Sequence, residues 1–316
     1  MKLTIATFLF TIIYLLFTAP MAHSQELSVG INPPLIQIEA SAPAIVKTPI
    51  SIENYSDQNI TYGIFLRPFE AGSEKNGEPN YDQKLLEENK DFLSKVQVID
   101  GERSITEITL SPKQKKELIV RIGIPKGEKP EDHYFSVVFI SQPEDTVNNK
   151  SFVGARAGIA TNVLLNIGPK DEPYGRIQEF GAPKFVTKGP LGFTLEIAND
   201  NNYFVTPTGN LIIKNIFGQV VGNIEFGPVN ILASSNRYIT NSDENGSEPK
   251  LIWNEKFLLG IYKAEVNVAL TDKGPLLKDS ITFFAFPLEL VLGIIVVIVL
   301  VTGLIRRARS KTEDES

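Results

Sequence analysis

The sequence predicts an all-β protein with two tandem β-sandwich domains, preceded by a signal peptide and followed by a single transmembrane helix. Three observations support this fold class. Apolar and polar residues alternate in short segments through the middle of the chain. A linker rich in glycine, proline and charge, at 168–175, divides these segments into two groups. Long apolar runs occupy positions 3–17 and 287–305, near the two ends.

Composition and charge exclude several classes of protein. The chain has 316 residues, of which 42% are hydrophobic and 22% charged, so a disordered protein is not expected. A net charge of −6 provides no basic field for nucleic acid. The absence of cysteine excludes disulfides, thiolate zinc sites, iron–sulfur clusters and cysteine nucleophiles. Exported eukaryotic sandwiches often carry disulfides, so this absence favours a bacterial exported protein.

The N-terminal apolar run predicts a signal peptide at residues 1–24. A positive charge at Lys2 precedes the run, and the segment 22–24, Ala-His-Ser, places small residues where a signal peptidase binds. We expect cleavage after Ser24. The alternative is an uncleaved anchor helix.

The C-terminal apolar run, 287–305, predicts a transmembrane helix. As a helix it would be about 28 Å long, close to the thickness of the hydrocarbon core of a bilayer. The block that follows predicts a stop-transfer signal and a cytoplasmic tail at 306–316. Its basic residues are Arg306, Arg307, Arg309 and Lys311. The expected protein is single-pass, with its N-terminal domains outside the cell.

The first domain is predicted at residues 28–169. Its alternating segments include 50–52 and 60–66, which flank a turn-forming stretch and predict a hairpin of two core strands. An insertion at 70–101, from Glu70 to Gly101, interrupts the alternation. Helical spacing of leucine and phenylalanine after Asp82, a capping residue, predicts a short helix or ordered loop there.

The second domain is predicted at residues 174–286. "GNLIIKNIFGQVVGNIEF" is typical of a strand, a turn and a strand, and "IYKAEVNVAL" and "SITFFAF" alternate in the same way. The last of these segments runs directly into the apolar C-terminal span. We therefore expect a smaller sandwich whose final strand leads to the anchor.

Several segments resemble the WxL-interacting protein family of bacterial cell surfaces. In the first domain these are "PPLIQIEA", "IENYSDQNITY", "NGEPNY" and "LSPKQKKELIVRIGIPKGEKPEDHYFSVVF", the last interpreted as two strands paired around a turn. In the second domain the segment is "ANDNNYFVTPTGNLIIKNIFGQVVG". The resemblance implies tandem immunoglobulin-like domains. It also implies a peptidoglycan-binding first domain and a second domain that contacts surface proteins, including those with a Trp-x-Leu motif.

Candidate ligand-binding residues lie in both domains. The insertion offers Asn76, Gly77 and Tyr81, within its family-like segment, but no tryptophan for a sugar. An alternative role for the insertion is to cover an open sheet edge. The second domain offers an aromatic loop and the only tryptophan of the chain, and in each case the alternative is packing into a core. These residues are Tyr203, Phe204 and Trp253.

No catalytic constellation is recognisable, so we predict a protein that is not an enzyme and needs no cofactor. After cleavage the only histidine is His133, which we expect to be a hydrogen-bonded turn residue beside Asp132. The oxygen-rich stretch Asn241–Glu248 does not fit the spacing of an EF-hand, and we expect a solvated loop rather than a metal site.

Two functions follow from these expectations. The first is a non-catalytic, membrane-anchored extracellular binding or scaffold protein that engages cell-wall peptidoglycan, other surface proteins or both. The alternative is a membrane-tethered protein resembling pilus chaperones, which donates a strand edge to a client. A cationic cleft between the domains would favour the alternative, with Arg67, Arg121 and Arg156 as candidates.

Overall fold

The structure is a computed structural model that describes residues 29–142, 158–241, 250–271 and 274–313. The predicted signal peptide and Arg156 lie outside these residues, as does the stretch Asn241–Glu248 beyond its first residue. In the C-terminal helix, side chains are described at 288–289 and 291–304.

Ten of the described strands between Val29 and Ile167 form two five-stranded sheets that pack face to face. Sheet A has the order β1 (Val29–Asn32), β3 (Ala44–Asn54), β10 (Lys115–Ile124), β7 (Val96–Asp100) and β8 (Arg103–Ser104). Sheet B has the order β2 (Leu35–Ala40), β12 (Gly158–Ile167), β11 (Asp132–Ser141), β4 (Ile60–Pro68) and β9 (Glu107–Leu110). The β2–β12 pair is parallel, and the other pairs are antiparallel.

The alternation found in the sequence is the inward face of these strands. Val120 and Ile122 of sheet A are fully buried against Val137 and Phe139 of sheet B in one cluster. Burying each such side chain contributes about 1.5–3 kcal/mol. The alternating pattern therefore identifies the core correctly, and the all-β class is confirmed.

The predicted hairpin at 50–66 is wrong in its pairing. The strands β3 and β4 both form, but one belongs to sheet A and the other to sheet B, so the connection is an arch between sheets. The same correction applies to β10 and β11, which do not pair with each other. Alternation specifies which face a strand buries but not which neighbour it pairs with.

The insertion contains a short hairpin and two short helices. The hairpin pairs β5 (Glu70–Ala71) with β6 (Pro79–Asn80), and α1 (Gln83–Glu88) and α2 (Lys90–Leu93) follow. The predicted cap is confirmed, because the Asp82 carboxylate accepts a hydrogen bond from the Lys84 N–H at 2.9 Å. Residues 96–100, counted with the insertion, form strand β7 because Val96 and Val98 enter the core.

The second group of sheets begins at Gly175, so no strand crosses residues 168–174, where the predicted linker lies. Sheet C contains β13 (Gly175–Gly181), β15 (Leu191–Asn199) and β18 (Ser235–Tyr238), with β19 (Leu251–Trp253) also paired to β15. Sheet D has the order β14 (Phe185–Val186), β21 (Leu276–Ala285), β20 (Gly260–Ala269), β16 (Thr208–Asn215) and β17 (Val220–Phe226). The predicted β16–β17 hairpin is confirmed.

The C-terminal helix α3 (Leu288–Glu313) follows the last strand almost directly. A membrane-crossing helix, judged by length and apolar character, is not found among the described residues. The transmembrane helix at 287–305 is thus unsupported by the structure and stays a sequence prediction.

His133 is not the hydrogen-bonded turn residue that the sequence predicts. It lies within β11, where its ring stacks on Phe92 with the ring centres 3.7 Å apart. Its Nε2 has no hydrogen-bond partner among the described residues and stands 3.5 Å from a carboxylate oxygen of Glu131. Burial lowers the pKa of His133, although Glu131 opposes this shift. The ring is therefore a neutral core side chain.

Two buried asparagines hold equivalent loops in the two sandwiches. Asn54, at the end of β3, has its Nδ2 within 2.7–3.2 Å of the backbone oxygens of Gln58, Leu110 and Ser111. Its Oδ1 accepts from the Ser56 N–H. Asn54 is completely buried, so its amide replaces the water that these carbonyls would otherwise bind.

Asn199 repeats this arrangement at the end of β15. Its Nδ2 reaches the backbone oxygens of Tyr203, Ile231 and Leu232 at 2.8–3.0 Å, and its Oδ1 accepts from the Asn201 N–H. Each asparagine closes the connection by which the chain leaves its strand. The turn chemistry expected around Asn54 is therefore present, with the amide buried beneath the turn.

We predict that Asn54→Asp destabilises the protein by about 3 kcal/mol or more, because an uncompensated buried carboxylate would face three carbonyl oxygens. Asn76→Asp is the control. Asn76 is exposed and its Oδ1 only accepts, from the Glu78 N–H, so an aspartate can replace it with a change below about 0.5 kcal/mol. Urea unfolding of the full chain at pH 7 measures both. Equal losses in the two variants would contradict this account.

Candidate functional site

A cavity of about 290 Å³ lies where the two sandwiches meet, and we call it the interdomain pocket. Its first-domain wall comes from β2, β12 and the insertion hairpin, and its second-domain wall from the segment 230–237. The lining is mainly apolar, with polar groups at a few points. The lining residues are Pro34, Leu35, Phe69, Ala71, Gly72, Lys75, Gly77, Glu78, Pro79, Asn162, Leu164, Asn230, Ile231, Leu232, Ser235, Asn236 and Arg237.

An apolar cluster beside the pocket joins the sandwiches. Phe69 and Leu164 from the first domain pack with Phe204 from the second, and all three are buried. Tyr134 and Leu232 complete the cluster, and the Phe69 and Tyr134 rings stack with centres 6.1 Å apart. Such burial holds the interface closed without a covalent link.

Asp132 adds a polar clasp to this cluster. Its Oδ2 accepts from the Phe204 N–H and from the Tyr134 hydroxyl, both at 2.6 Å, and its Oδ1 accepts from Asn166 Nδ2 at 2.7 Å. The Tyr134 oxygen in turn accepts from the Ala233 N–H at 3.0 Å. Burial, and then the Asp132 charge, raise the pKa of Tyr134, so the phenol stays a donor. Hydrogen bonds to an ionised acceptor are stronger than neutral ones.

The insertion hairpin forms the second bridge between the domains. The Lys75 carbonyl accepts from the Tyr238 N–H at 2.8 Å, and the Lys75 ammonium lies 2.7 Å from Glu196 Oε1. Burial works to raise the pKa of Glu196. Hydrogen bonds from Lys75, Asn236 and Tyr238 outweigh burial, so this pKa lies below its usual value. Glu196 is thus a buried, ionised carboxylate that accepts hydrogen bonds from groups of the protein itself.

Gly77 allows the hairpin to approach the second domain closely. Its φ of 91° lies in the left-handed region, which favours glycine. A Cβ at this position would lie 2.1 Å from Arg237 Cζ. The Arg237 guanidinium therefore packs directly over the Gly77 backbone.

Arg237 lines the pocket and has guanidinium N–H groups that can donate further hydrogen bonds. Its Nη1 donates to the Asn230 carbonyl at 2.8 Å, and no described carboxylate forms an ion pair with it. Burial lowers the pKa of Arg237, although a guanidinium stays protonated in proteins. Partial burial without a counter-ion is unfavourable for this charge. An anionic ligand group would relieve that cost.

The structure brings the predicted insertion residues close to this pocket. Gly77 lines it, and Asn76 is exposed beside it in the same turn. Tyr81 is exposed, but its hydroxyl lies 2.8 Å from Ser136 Oγ and its ring packs edge-on against Phe69. The Asn76–Gly77 turn and Tyr81, both from the family-like segment, therefore lie near the interface between the domains.

The predicted aromatic residues of the second domain are packed inside the protein rather than exposed at its surface. Tyr203, Phe204 and Trp253 are all less than a tenth exposed, which agrees with the packing alternative. The Trp253 ring packs against Tyr262 and Phe283 in the second core. The side chains of Arg306, Arg307, Arg309 and Lys311 lie outside the described residues. Arg67 and Arg121 do not line the pocket.

Sequence reasoning missed Arg237, Lys75 and Asp132. Arg237 follows a stretch with no alternation, and its importance depends on Gly77, 160 positions earlier. A signal that was available is the single arginine between 177 and 305. The lining offers apolar surface, amide groups, the Arg237 guanidinium, the Glu78 carboxylate and the Lys75 ammonium, which is paired with Glu196.

Comparisons with known proteins give fold-level likeness only. No protein-family model matches the chain, and no curated protein matches it by sequence. Among solved structures, the E. coli chaperone DraB is 10% identical, covers 80% of this chain and 97% of its own, and has a TM-score of 0.37. The structure of the Salmonella enterica SafA pilin with the SafB chaperone is 9% identical, covers 82% of this chain and 98% of its own, and has a TM-score of 0.38.

A third likeness is the CsuC–CsuE chaperone–tip adhesion subunit complex of Acinetobacter baumannii. It is 10% identical, covers 82% of this chain and 99% of its own, and has a TM-score of 0.36. At these levels, the likenesses carry no argument about what this chain binds.

We predict that Gly77→Ala costs more than Gly101→Ala. Both glycines have positive φ, so each alanine costs about 1–2 kcal/mol of backbone energy. At Gly101 nothing lies within 4 Å of the added Cβ, whereas at Gly77 the Arg237 side chain must move. The free energy of unfolding in urea checks the difference. Identical losses would mean that the hairpin does not depend on this close approach.

We predict that Asp132→Asn loosens the interface between the domains. Either orientation of the amide places an N–H₂ group against the Phe204 N–H or Asn166 Nδ2, at a cost of about 1–3 kcal/mol. Lys170 lies over the Phe204 ring, 4.2 Å from its centre, so tryptic cleavage after Lys170 should become about ten- to a hundredfold faster.

The control for this measurement is Asp57→Asn, at an exposed surface carboxylate whose ion-pair partner is the exposed Lys113. Mass spectrometry of the initial tryptic fragments measures the rate of cleavage after Lys170 relative to the rates at the other tryptic sites. An unchanged rate in Asp132→Asn would show that the apolar cluster alone holds the domains together.

Proposed function

We propose that this chain is a non-catalytic binding protein whose ligand occupies the interdomain pocket. The observation that carries the proposal is Arg237, a partly buried guanidinium without a carboxylate partner among the described residues. A guanidinium of this kind binds a carboxylate with good geometry. The expected ligand is therefore a group that carries a carboxylate.

The remaining lining supports a peptide as the source of that carboxylate. Leu35, Phe69 and Leu164 give apolar surface on one side, and Asn162 and Asn236 give amide groups that can bind peptide N–H and C=O. Cell-wall stem peptides and acidic segments of surface proteins both have this chemistry. This proposal is consistent with a surface-binding or scaffold protein, and with the family resemblance stated above.

We also propose that the protein is attached to a membrane through α3, with its sandwiches outside the cell. The support is the apolar run of the sequence and the basic block that follows it. The described side chains of α3 from Leu292 to Leu304 are largely exposed.

The chaperone-like alternative is favoured by a different observation, the free edge of β17. Among the described strands this strand pairs only with β16, so its outer backbone groups are open to an added strand. Val220 and Val221 are exposed there. An exposed, partly apolar edge is what a client strand would pair with.

We predict that Arg237→Gln lowers binding of the purified full-length chain to peptidoglycan sacculi at least about tenfold, because the variant loses a charged donor to a carboxylate. Arg121→Gln is the matched control, since it removes the same charge from the surface of sheet A, where Arg121 contacts Gln97. Sedimentation with the sacculi, with and without a soluble stem peptide as competitor, measures the effect.

Equal binding by the wild type and Arg237→Gln would overturn the pocket as the ligand site. Failure of the wild type to bind sacculi, with capture of acidic surface peptides that Arg237→Gln does not capture, would assign the ligand to a protein. Binding that survives Arg237→Gln but is lost in Val220→Lys would instead support the strand-edge alternative, because a lysine on the edge blocks pairing.

A further inference from the structure

A row of apolar side chains crosses one end of sheet D. Phe185 of β14 is paired with Phe284 of β21, and Phe284 is paired with Ile261 of β20. All three point away from the core and are exposed. The Phe185 and Phe284 rings lie 5.7 Å apart, centre to centre.

Two loops extend this row at the same end of the sheet. The β16–β17 turn is there because Asn215 pairs with Tyr262, next to Ile261, and its tip residue Phe217 is 83% exposed. The loop before β20 carries exposed Phe257 and Leu259. We call this surface the apolar end. It consists of Phe185, Phe217, Phe257, Leu259, Ile261 and Phe284.

The apolar end contrasts with the rest of the same face. The next outward positions along β20 are Lys263, Glu265 and Asn267. Along β21 they are Thr282, Ser280 and Lys278, before Leu276 at the far end. The outward face of these two strands is therefore polar between the row of Phe284 and Ile261 and the far end at Leu276. Contiguous exposed apolar surface generally marks a contact site.

The helix α3 leaves the domain from this end. Strand β21 ends at Ala285, and the ring of Phe286 stacks with that of Phe284, with centres 6.3 Å apart. At the second residue of α3, Glu289 is paired with Lys188 of the domain at 2.9 Å. The exposed apolar side chains of α3 therefore adjoin the apolar end, and the Lys188–Glu289 ion pair lies at the junction.

From this arrangement we propose that the apolar end lies in the interfacial layer of a lipid bilayer, so that the second sandwich rests on the membrane beside α3. Aromatic side chains favour that layer. Exposed Lys184 and Lys256, each next to a phenylalanine of the apolar end, are placed to meet anionic headgroups. The inference rests on the proposed membrane attachment and adds the orientation of the domain.

The experiment uses the absence of cysteine in the chain. Single cysteines replace Phe217 and Phe257 at the apolar end, Leu276 at the far end and Val297 in α3, and each carries an environment-sensitive fluorophore. Leu276 is the matched control because it is apolar and 51% exposed, close to the 55% of Phe257. The full-length chain is reconstituted into phosphatidylcholine–phosphatidylglycerol vesicles with nitroxide on the headgroup or deep in the acyl chain.

We expect labels at 217 and 257 to shift to the blue and to be quenched severalfold more by headgroup nitroxide than the label at 276, which aqueous iodide should quench instead. Labels at 217 and 257 that behave like 276, while 297 responds to acyl-chain nitroxide, would overturn the inference and leave the anchor intact. No lipid quenching at any position would overturn both.

Two further outcomes are decisive. Headgroup quenching at 217 and 257 without acyl-chain quenching at 297 would uphold membrane contact of the apolar end and overturn the proposed anchor. Shielding of 217 and 257 from lipid and iodide alike, with cross-links between labelled chains, would show that a second copy covers this surface and would overturn the inference.

Discussion

The carboxylate of Asp132 is the contact on which the arrangement of the two sandwiches depends. Asp132 is the first residue of β11 in the first domain, yet its carboxylate accepts a hydrogen bond from the Phe204 N–H in the second domain. Because the same oxygen also holds the Tyr134 hydroxyl, the position of one side chain sets two links across the interface. The pocket exists only while that interface is closed, so the proposed ligand site is a product of domain orientation.

The insertion hairpin extends the same constraint to the opposite side of the pocket. Lys75 offers its carbonyl to Tyr238 and its ammonium to Glu196, and Gly77 supports Arg237 from below. The Glu196 carboxylate is paired with Lys75, which leaves Arg237 as a pocket cation without an ion-pair partner among the described residues. A protein that closed its interface for stability alone would gain by giving Arg237 a carboxylate partner, since an unpaired buried charge is costly. We propose that a bound ligand supplies this carboxylate.

Local patterns in the sequence predicted which residues are buried, and long-range contacts decided the rest. Alternation identified β3 and β4, and the packing alternative for Trp253 agrees with its place in the second core. Pairing was mispredicted because a turn-rich stretch can close a hairpin or an arch. Here Asn54 favours the arch by binding carbonyls of a segment more than 50 residues away. Arg237 and Gly77 could not be connected from sequence for the same reason, since no local rule links positions so far apart.

The geometry of sheet D relates the pocket to the apolar end. Strand β16 begins at Thr208, just after the segment around Phe204 that meets the first domain, and ends at Asn215 beside the apolar end. Its eight residues span about 24 Å, from the rise of a strand. With the apolar end in the interfacial layer, the start of β16, which is the end near the first domain, would be the end farther from the membrane. A bound peptide would then be reached from the extracellular side, beyond the lipid headgroups. The pocket, the clasp at Asp132 and the apolar end would act together: the membrane fixes one end of the second sandwich, and the interface fixes the binding site at the other.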